Sequence, residues 1–409
     1  MKNGYLSQYF DGVAVKRLSA VEADAIHSNQ HEFNGVKSLR DILGEPSGKN
    51  PFPAIFLYLS DQDWEPVIGE GFLTWYDARQ RARETRGVKR YEYRLYFSDN
   101  QASQCAAKGD LLVIAKRVNG ELLAIIAEKE TTIERQLLWL FGFSELEHPG
   151  FSVKSELETE QDRIGFAARV ILEQIGVEPE DEAPNYLDEM LVRFGGGFPK
   201  TAEFSAYARS TIPDVSSIDD PDTALVVWME REEILFRTLE KHLVGDKLSG
   251  LISAGVDDIF KLMQSAQQRR RARAGSALEN HLEQIFTEHG VTYTRTGVTE
   301  NRLKPDFIFP GIGYYHDADF PQTRLTMLAS KSTCKDRWRQ ILNEATRIPH
   351  KHLLTLEPSI SESQTAEMQR ERVQLVLPRS LHPSYTEAQR AWLMDVGAFL
   401  ALVQHRQAG

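Results

Sequence analysis

Two periodicities divide the chain. Up to residue 146 the apolar residues come in short runs. AIFLYL, RYEYRLYF, DLLVIAKRV and ELLAIIAEK are rich in β-branched and aromatic residues and are separated by Gly, Asn and Asp, the pattern of strands joined by turns. VNGELL sets an Asn-Gly pair between two of these runs, which is a hairpin signal. VKSLRDIL and TTIERQLLWLFG are the helix candidates here. The pattern predicts an antiparallel β-barrel or sandwich-like domain over residues 1–150.

Residues 151–186 are acidic, with one amphipathic helix candidate, RIGFAARVILEQIG, followed by EPEDEAPN, which reads as a charged, proline-containing linker. From 187 the period becomes helical, in YLDEMLVRFG, TALVVWMEREEILFRTLEKHLV, VDDIFKLMQSAQQ and SALENHLEQIFTEHG. Strand-like runs return at PDFIFPG, RLTMLASKS, HLLTLEP and VQLVLP, with helices expected over 336–348, 363–370 and 386–404. That order predicts a domain of mixed α/β or α+β type with a central sheet over 187–409.

Composition narrows the class. The chain has 409 residues, 41% hydrophobic and 26% charged, with room for two domains with full cores. No apolar run is long enough for a membrane span, and the N-terminal MKNGYLSQYFDGVAVKRL lacks the apolar segment of a signal peptide. The two cysteines, Cys105 and Cys334, have no metal-ligand spacing, which fits a reducing cytoplasm. They read as core residues rather than reactive ones. A net charge of −11 taken alone argues against a nucleic-acid partner. Phosphate contacts are local, however, and RQRARETRGVKRYEYR at 79–94 and QRRRARAG at 268–275 are basic stretches on an otherwise acidic chain.

The candidate chemistry lies near the second sheet. Asp306 opens the strand PDFIFP, Lys331 closes the strand RLTMLASK, and Glu344 follows along a segment with Trp338, Ile341, Leu342, Ala345 and Ile348 on one helical stripe. If the strands are adjacent, Asp306 and Lys331 meet at one end of the sheet. Two carboxylates and an ammonium suit phosphodiester hydrolysis: carboxylate oxygens hold Mg²⁺, and positive charge faces the transition state. Glu279, beside the buried stripe of SALENHLEQIF, is a fourth candidate. By spacing alone the signal is weak, and an Asp in a Pro-Asp turn, a Lys at an exposed strand end, a solvated Glu344 and a helix-capping Glu279 account better for these residues.

Four segments carry more: RRRARAGSALENHLEQIFTEHG, KPDFIFPGIGYYHDADFP, KSTCKDRWRQILNEA and LVLPRSLHPSYTEAQRAWLMDVGAFLA. Through them, residues 269–404 resemble the catalytic domain of EcoRII-type restriction endonucleases. These belong to the PD-(D/E)XK nucleases, in the branch whose second acid has moved from the strand to the following helix. The resemblance implies a restriction-endonuclease-like nuclease domain over 187–409. Asp306 and Glu344 would be Mg²⁺ ligands, Lys331 would position the attacking water, and Glu279 would be the family's helix carboxylate. Tyr315 and His316 match a Tyr-His-Asp stretch. Lys335, Asp336 and Arg337 match residues that read C·G pairs, and their chemistry agrees, since Lys and Arg donate to guanine and Asp accepts from cytosine.

The N-terminal region is similar to the same family's effector-binding domain, a pseudobarrel like plant B3 domains. The likeness rests on VKRLSA, which contains Lys16, on SNQHEFNG with His31, and on ETRGVKR with Arg86, Lys89 and Arg90. Glu84 and Val88 depart from the family's charge pattern, so a different sequence or modified base is expected there. The whole then reads as α+β: a B3-like domain (1–150), an acidic segment and linker (151–186) and a nuclease domain (187–409). The implied enzyme is a homodimer that cuts double-stranded DNA at a CCWGG-like site, leaving 5′-phosphates. A second copy of the site, bound by the N-terminal domain, would relieve autoinhibition. The alternatives are a methylcytosine-dependent nuclease on the same scaffold and a DNA-binding protein that does not cut.

Overall fold

The computed structural model describes residues 2, 4–24, 31–46, 51–62, 65–87, 89–144, 146, 149–179, 184–250 and 256–408. The chain forms two compact units: Met1–Pro179 with Ser359–Ser361, and Glu180–Pro358 with Glu362–Gly409. The architecture is α+β, as the patterning predicts.

The first unit is built on β1 (Phe10–Arg17), β2 (Glu32–Asn34), β3 (Phe52–Leu59), β4 (Val67–Asp77), β5 (Tyr93–Phe97), β6 (Leu111–Arg117), β7 (Leu122–Ala127) and β8 (Ser152–Lys154). They form one curled sheet in the order β2-β5-β4-β3-β7-β6-β1-β8. It is mixed rather than purely antiparallel, because β3 and β7 run parallel with Ala54 opposite Leu122. Both faces of the central strands are covered. Val13 and Val15 join one core with Val113, Ile125 and Leu137, while Ala14 joins another with Phe56, Leu73 and Ile114. This explains why these strands read as continuous apolar runs. Residues 151–175 belong to this unit: β8 pairs with β1, and Ile171 and Leu172 of the Phe166–Gln174 helix are in its core.

The sequence pattern did not single out β4. Its inward positions include Gly69 and Gly71, while Ile68 and Phe72 are exposed. A side chain at Gly69 would run into Asn100, with its Cβ 2.6 Å from the Asn100 Oδ1. Close approach of the 98–100 segment therefore replaces the usual apolar alternation.

In the second unit, β9 (Thr294–Arg295), β10 (Phe307–Phe309), β11 (Thr326–Lys331), β12 (Lys351–Thr355) and β13 (Val373–Val376) form a sheet in the order β13-β12-β11-β10-β9. The pairs β9–β10 and β10–β11 are antiparallel, and β11–β12 and β12–β13 are parallel. Helices Pro184–Phe194, Thr201–Ser210, Pro221–Gly250 and Val256–Glu288 enclose Phe204, Tyr207, Leu235, Phe236 and Leu239. Phe286 carries the last of these helices onto the sheet, with its ring 5.1 Å from those of Phe307 and Phe309. The helix expected over 386–404 divides into Glu387–Arg390 and Val396–Ala408.

Candidate active site and nucleic-acid interface

Strand register brings the first two candidates together. Phe307 lies opposite Leu328, so Asp306, one residue earlier, falls beside the end of β11. Its Oδ2 accepts the backbone N–H of Ser330 at 2.7 Å and the Lys331 ammonium at 3.1 Å. Met327, Leu328 and Ala329 are fully buried, and β11 is flanked by β10 and β12. The apolar strand is thus held in the sheet centre while Lys331 emerges at its rim.

Glu344 arrives by a route that differs from the expected helix. Residues Lys335–Asn343 form a 3₁₀ helix, and Glu344 follows it in extended conformation (φ −79°, ψ 143°). The apolar stripe is real, since Trp338, Ile341, Ala345 and Ile348 are buried. What stops a longer α-helix is Ala345, at φ 45°, together with Lys351. That lysine is only 5% exposed. Its ammonium donates to the carbonyls of Glu344, Ala345 and Ile348, which ties up acceptors that helix continuation would use.

Burial pushes the Glu344 carboxyl above its ordinary range; Lys331 opposes the rise, Asp306 adds to it and Lys351 opposes it. Burial likewise lowers the Lys351 ammonium, against the pull of Glu344 and Glu300. Asp306, Lys331 and Glu344 therefore share one electrostatic neighbourhood. A half-buried carboxyl raised by a neighbouring carboxylate is relieved by a cation. Mg²⁺, which keeps several waters and takes one or two protein carboxylates, fits this donor set. Among the described residues no cluster of three or more acidic, His or Cys side chains is poised to cage a metal.

Glu279 is held by an arginine of the same sheet. Arg295, from β9, donates to Glu279 at 2.8 Å, to Glu283 at 2.7 Å and to Asn280 at 2.9 Å. Tyr315 is buried, and its hydroxyl donates to Glu300 at 2.7 Å and accepts the Arg347 N–H at 3.2 Å. His316 Nε2 lies 3.0 Å from the Val298 carbonyl. The Arg347 guanidinium bridges the carbonyls of Tyr315, Asp317 and Phe320. These contacts shape the loop beside Glu344. Lys335, Asp336 and Arg337 begin the 3₁₀ helix, and their side chains lie outside the described residues.

Sequence reasoning missed Lys351, Glu300 and Arg347. Lys351 left a signal, a lysine opening the apolar run KHLLTL. Glu300 and Arg347 left none, because long-range contacts alone define their work.

In the second basic stretch Arg271 is exposed, but Arg270 and Arg273 are engaged within the unit. Arg270 donates to Glu240 at 2.5 Å, and buried Arg273 sits over the rings of Phe204 and Phe236 with Glu232 at 3.9 Å. Lys16 also departs from expectation. It is 1% exposed, and its ammonium is 2.6 Å from Glu22, so it braces the first unit and presents no charge to a phosphate. Trp75 is buried too, its indole N–H donating to the Gly44 carbonyl. His31 is half-buried against Phe97. Arg86, Lys89 and Arg90 are exposed, Arg86 closing the Gln80–Arg86 helix just before Gly87 at φ 67°. Glu84 is exposed on the same helix, and Val88 lies outside the described residues. Exposed Tyr91 stacks on Tyr93, and Tyr96 lies beside Phe72.

Comparison with known proteins bears on the second unit. Residues 236–400 match the family described as EcoRII C terminal. The matched segment contains Glu279, Asp306, Lys331 and Glu344. The chain is 46% identical over 206 residues to the type II restriction enzyme EcoRII of Escherichia coli, covering 50% of each. It is 32% identical over 115 residues to the type II restriction enzyme SsoII of Shigella sonnei, covering 25% of this chain and 36% of that one. The chain thus spans half or less of the length of these relatives. Among solved structures, PspGI with substrate DNA aligns over 52% of this chain and 95% of its own at 17% identity and TM-score 0.44. Metal-depleted Ecl18kI with uncleaved DNA aligns over 55% and 85% at 19% identity and TM-score 0.43. No helix among the described residues is long and apolar enough to cross a membrane.

Proposed function

We propose that this protein is a type II site-specific deoxyribonuclease that cuts both strands of a short CCWGG-like DNA site with Mg²⁺ and leaves 5′-phosphates. The observation that carries the reading is Asp306 accepting Lys331 at 3.1 Å at the sheet rim, with Glu344 coupled to both, inside a segment matching the EcoRII C-terminal family. Lys331 orients the attacking water and keeps positive charge near the phosphate. Asp306 holds the lysine head, and Glu344 completes the acidic pair. Asp306 and Glu344 would hold Mg²⁺, which when bound supplies further positive charge against the developing phosphorane. Glu279, held by Arg295, would be the helix carboxylate beside this acidic pair. Lys335, Asp336 and Arg337 read outer C·G pairs.

Cutting both strands of a symmetric site calls for two active sites, hence a homodimer. The exposed Arg86, Lys89 and Arg90, with His31 and neighbouring tyrosines, bind a second DNA copy, and that binding relieves autoinhibition of the nuclease. Such an enzyme acts on DNA in the cytoplasm. The test is to digest plasmid DNA with Mg²⁺, sequence the ends, and compare one-site with two-site plasmids. Discrete ends at a CCWGG-like site and faster cutting of two-site DNA support the reading. Cutting confined to methylated plasmid would favour the methylcytosine-dependent alternative. Binding without cutting at any Mg²⁺ concentration would refute nuclease activity.

A further inference from the structure

Glu357 stands just beyond β12 and is 4% exposed. A buried carboxylate is costly unless it is engaged. Its backbone N–H donates to the Thr355 hydroxyl at 3.2 Å, and its carbonyl accepts the Tyr385 hydroxyl at 2.6 Å. The residue is thus anchored from both sides, and its Oε2 reaches out to accept the backbone N–H of Cys334. Cys334 precedes the Lys335–Asn343 helix and has no side-chain cap of its own. It is also fully buried, with a thiol pushed well up by burial and by Glu357. A carboxylate from just beyond the neighbouring strand thus holds the backbone where the turn from Lys331 meets the helix.

We infer that Glu357 is a positioning residue that fixes the Lys331–Cys334 turn, so that phosphate chemistry at Lys331 and base recognition at the helix start keep one geometry. The inference rests on the nuclease reading for its functional half. Its structural half stands on the Cys334 contact alone.

The chain has two cysteines, Cys105 exposed and Cys334 buried, so thiol reactivity reports the turn directly. Full-length wild type, Glu357→Gln and Glu357→Met would be titrated with Ellman's reagent, with circular dichroism as the check on folding. Wild type should show one fast thiol. Glu357→Gln keeps an acceptor oxygen and should match it. Glu357→Met should raise Cys334 reactivity by about tenfold or more through local opening. In cleavage, Glu357→Met should lose about tenfold in kcat discrimination between the cognate site and a single-base-pair variant, with KM little changed and Glu357→Gln close to wild type.

Equal Cys334 protection in all three proteins overturns the inference. A reactive Cys334 with unchanged discrimination overturns the coupling while leaving the turn contact standing. If wild type cuts no DNA, the nuclease reading falls, and thiol protection alone decides whether Glu357 holds the turn.

Discussion

Replacing Lys331 with Ala should separate chemistry from stability. The Lys331–Asp306 contact is 3.1 Å, with side-chain exposures of 25% and 15%. At that distance the bare Coulomb attraction is about 1 kcal/mol in water and about 5 kcal/mol at an effective dielectric of 20. Desolvation, side-chain entropy and screening reduce the net value of such a partly exposed pair to about 1 kcal/mol. Asp306 keeps its bond from the Ser330 N–H, so it is not stranded. The expected loss of stability is therefore about 1 kcal/mol, a Tm shift of about 2–4 °C. If Lys331 orients the attacking water, its loss should slow cleavage by about 10³-fold, near 4 kcal/mol of barrier. The assay pairs single-turnover plasmid cleavage in Mg²⁺ with thermal unfolding and with gel-shift binding in EDTA. Cleavage within tenfold of wild type, or a loss of activity matched by unfolding, would refute the assignment.

Three further outcomes are expected. Lys351→Met removes the ammonium that braces the Glu344, Ala345 and Ile348 carbonyls; it should cost about 3 kcal/mol by chemical denaturation and slow cleavage more than DNA binding. Lys16→Met leaves the buried Glu22 carboxylate without its cation, held only by Ser19 and Asn34, and should cost about 3 kcal/mol, with the salt dependence of DNA binding unchanged; a shallower salt slope in a stable variant would return Lys16 to the interface. Buried His352 has its imidazole lowered from 6.5 to about 4 by burial and by Arg406. The fold binds the neutral ring, so its contribution is full above pH 6.5 and is lost as pH falls through 4, about 3 kcal/mol in all; denaturation of His352→Gln should show a flatter decline across that window.

The apolar runs of β3, β6 and β7 were legible because both of their faces are buried. β4 was not, because Gly69 and Gly71 occupy its inward face where the 98–100 segment presses close. In the site, Asp306 and Lys331 were legible as strand-end residues, and register brings them into contact. Glu344 was placed on a helix because Trp338, Ile341, Ala345 and Ile348 have helical spacing; a 3₁₀ segment followed by a left-handed Ala345 buries the same side chains. The bracing by Arg347 and Glu357 joins residues far apart in the chain, and no local pattern encodes it, whereas Lys351 grips carbonyls just before it and shows in the sequence as a lysine opening an apolar run. Lys16 misled for the opposite reason. Its basic neighbour Arg17 marks an exposed strand end, and alternation turns Lys16 itself inward to Glu22.

The segment from Cys334 to Glu344 is gripped at both ends by residues outside it, Glu357 at the start and Lys351 at the finish. Strain inside such a span is absorbed between its posts. Trp338 and Ile341 seat the span in the core, so its exposed positions, such as Arg339, Gln340 and Asn343, can be exchanged with little displacement of Lys331 or Glu344, and those positions form a natural cassette. On the proposed function, the base pairs read from the start of this span could be rewritten while Asp306, Lys331 and Glu344 stay where they are.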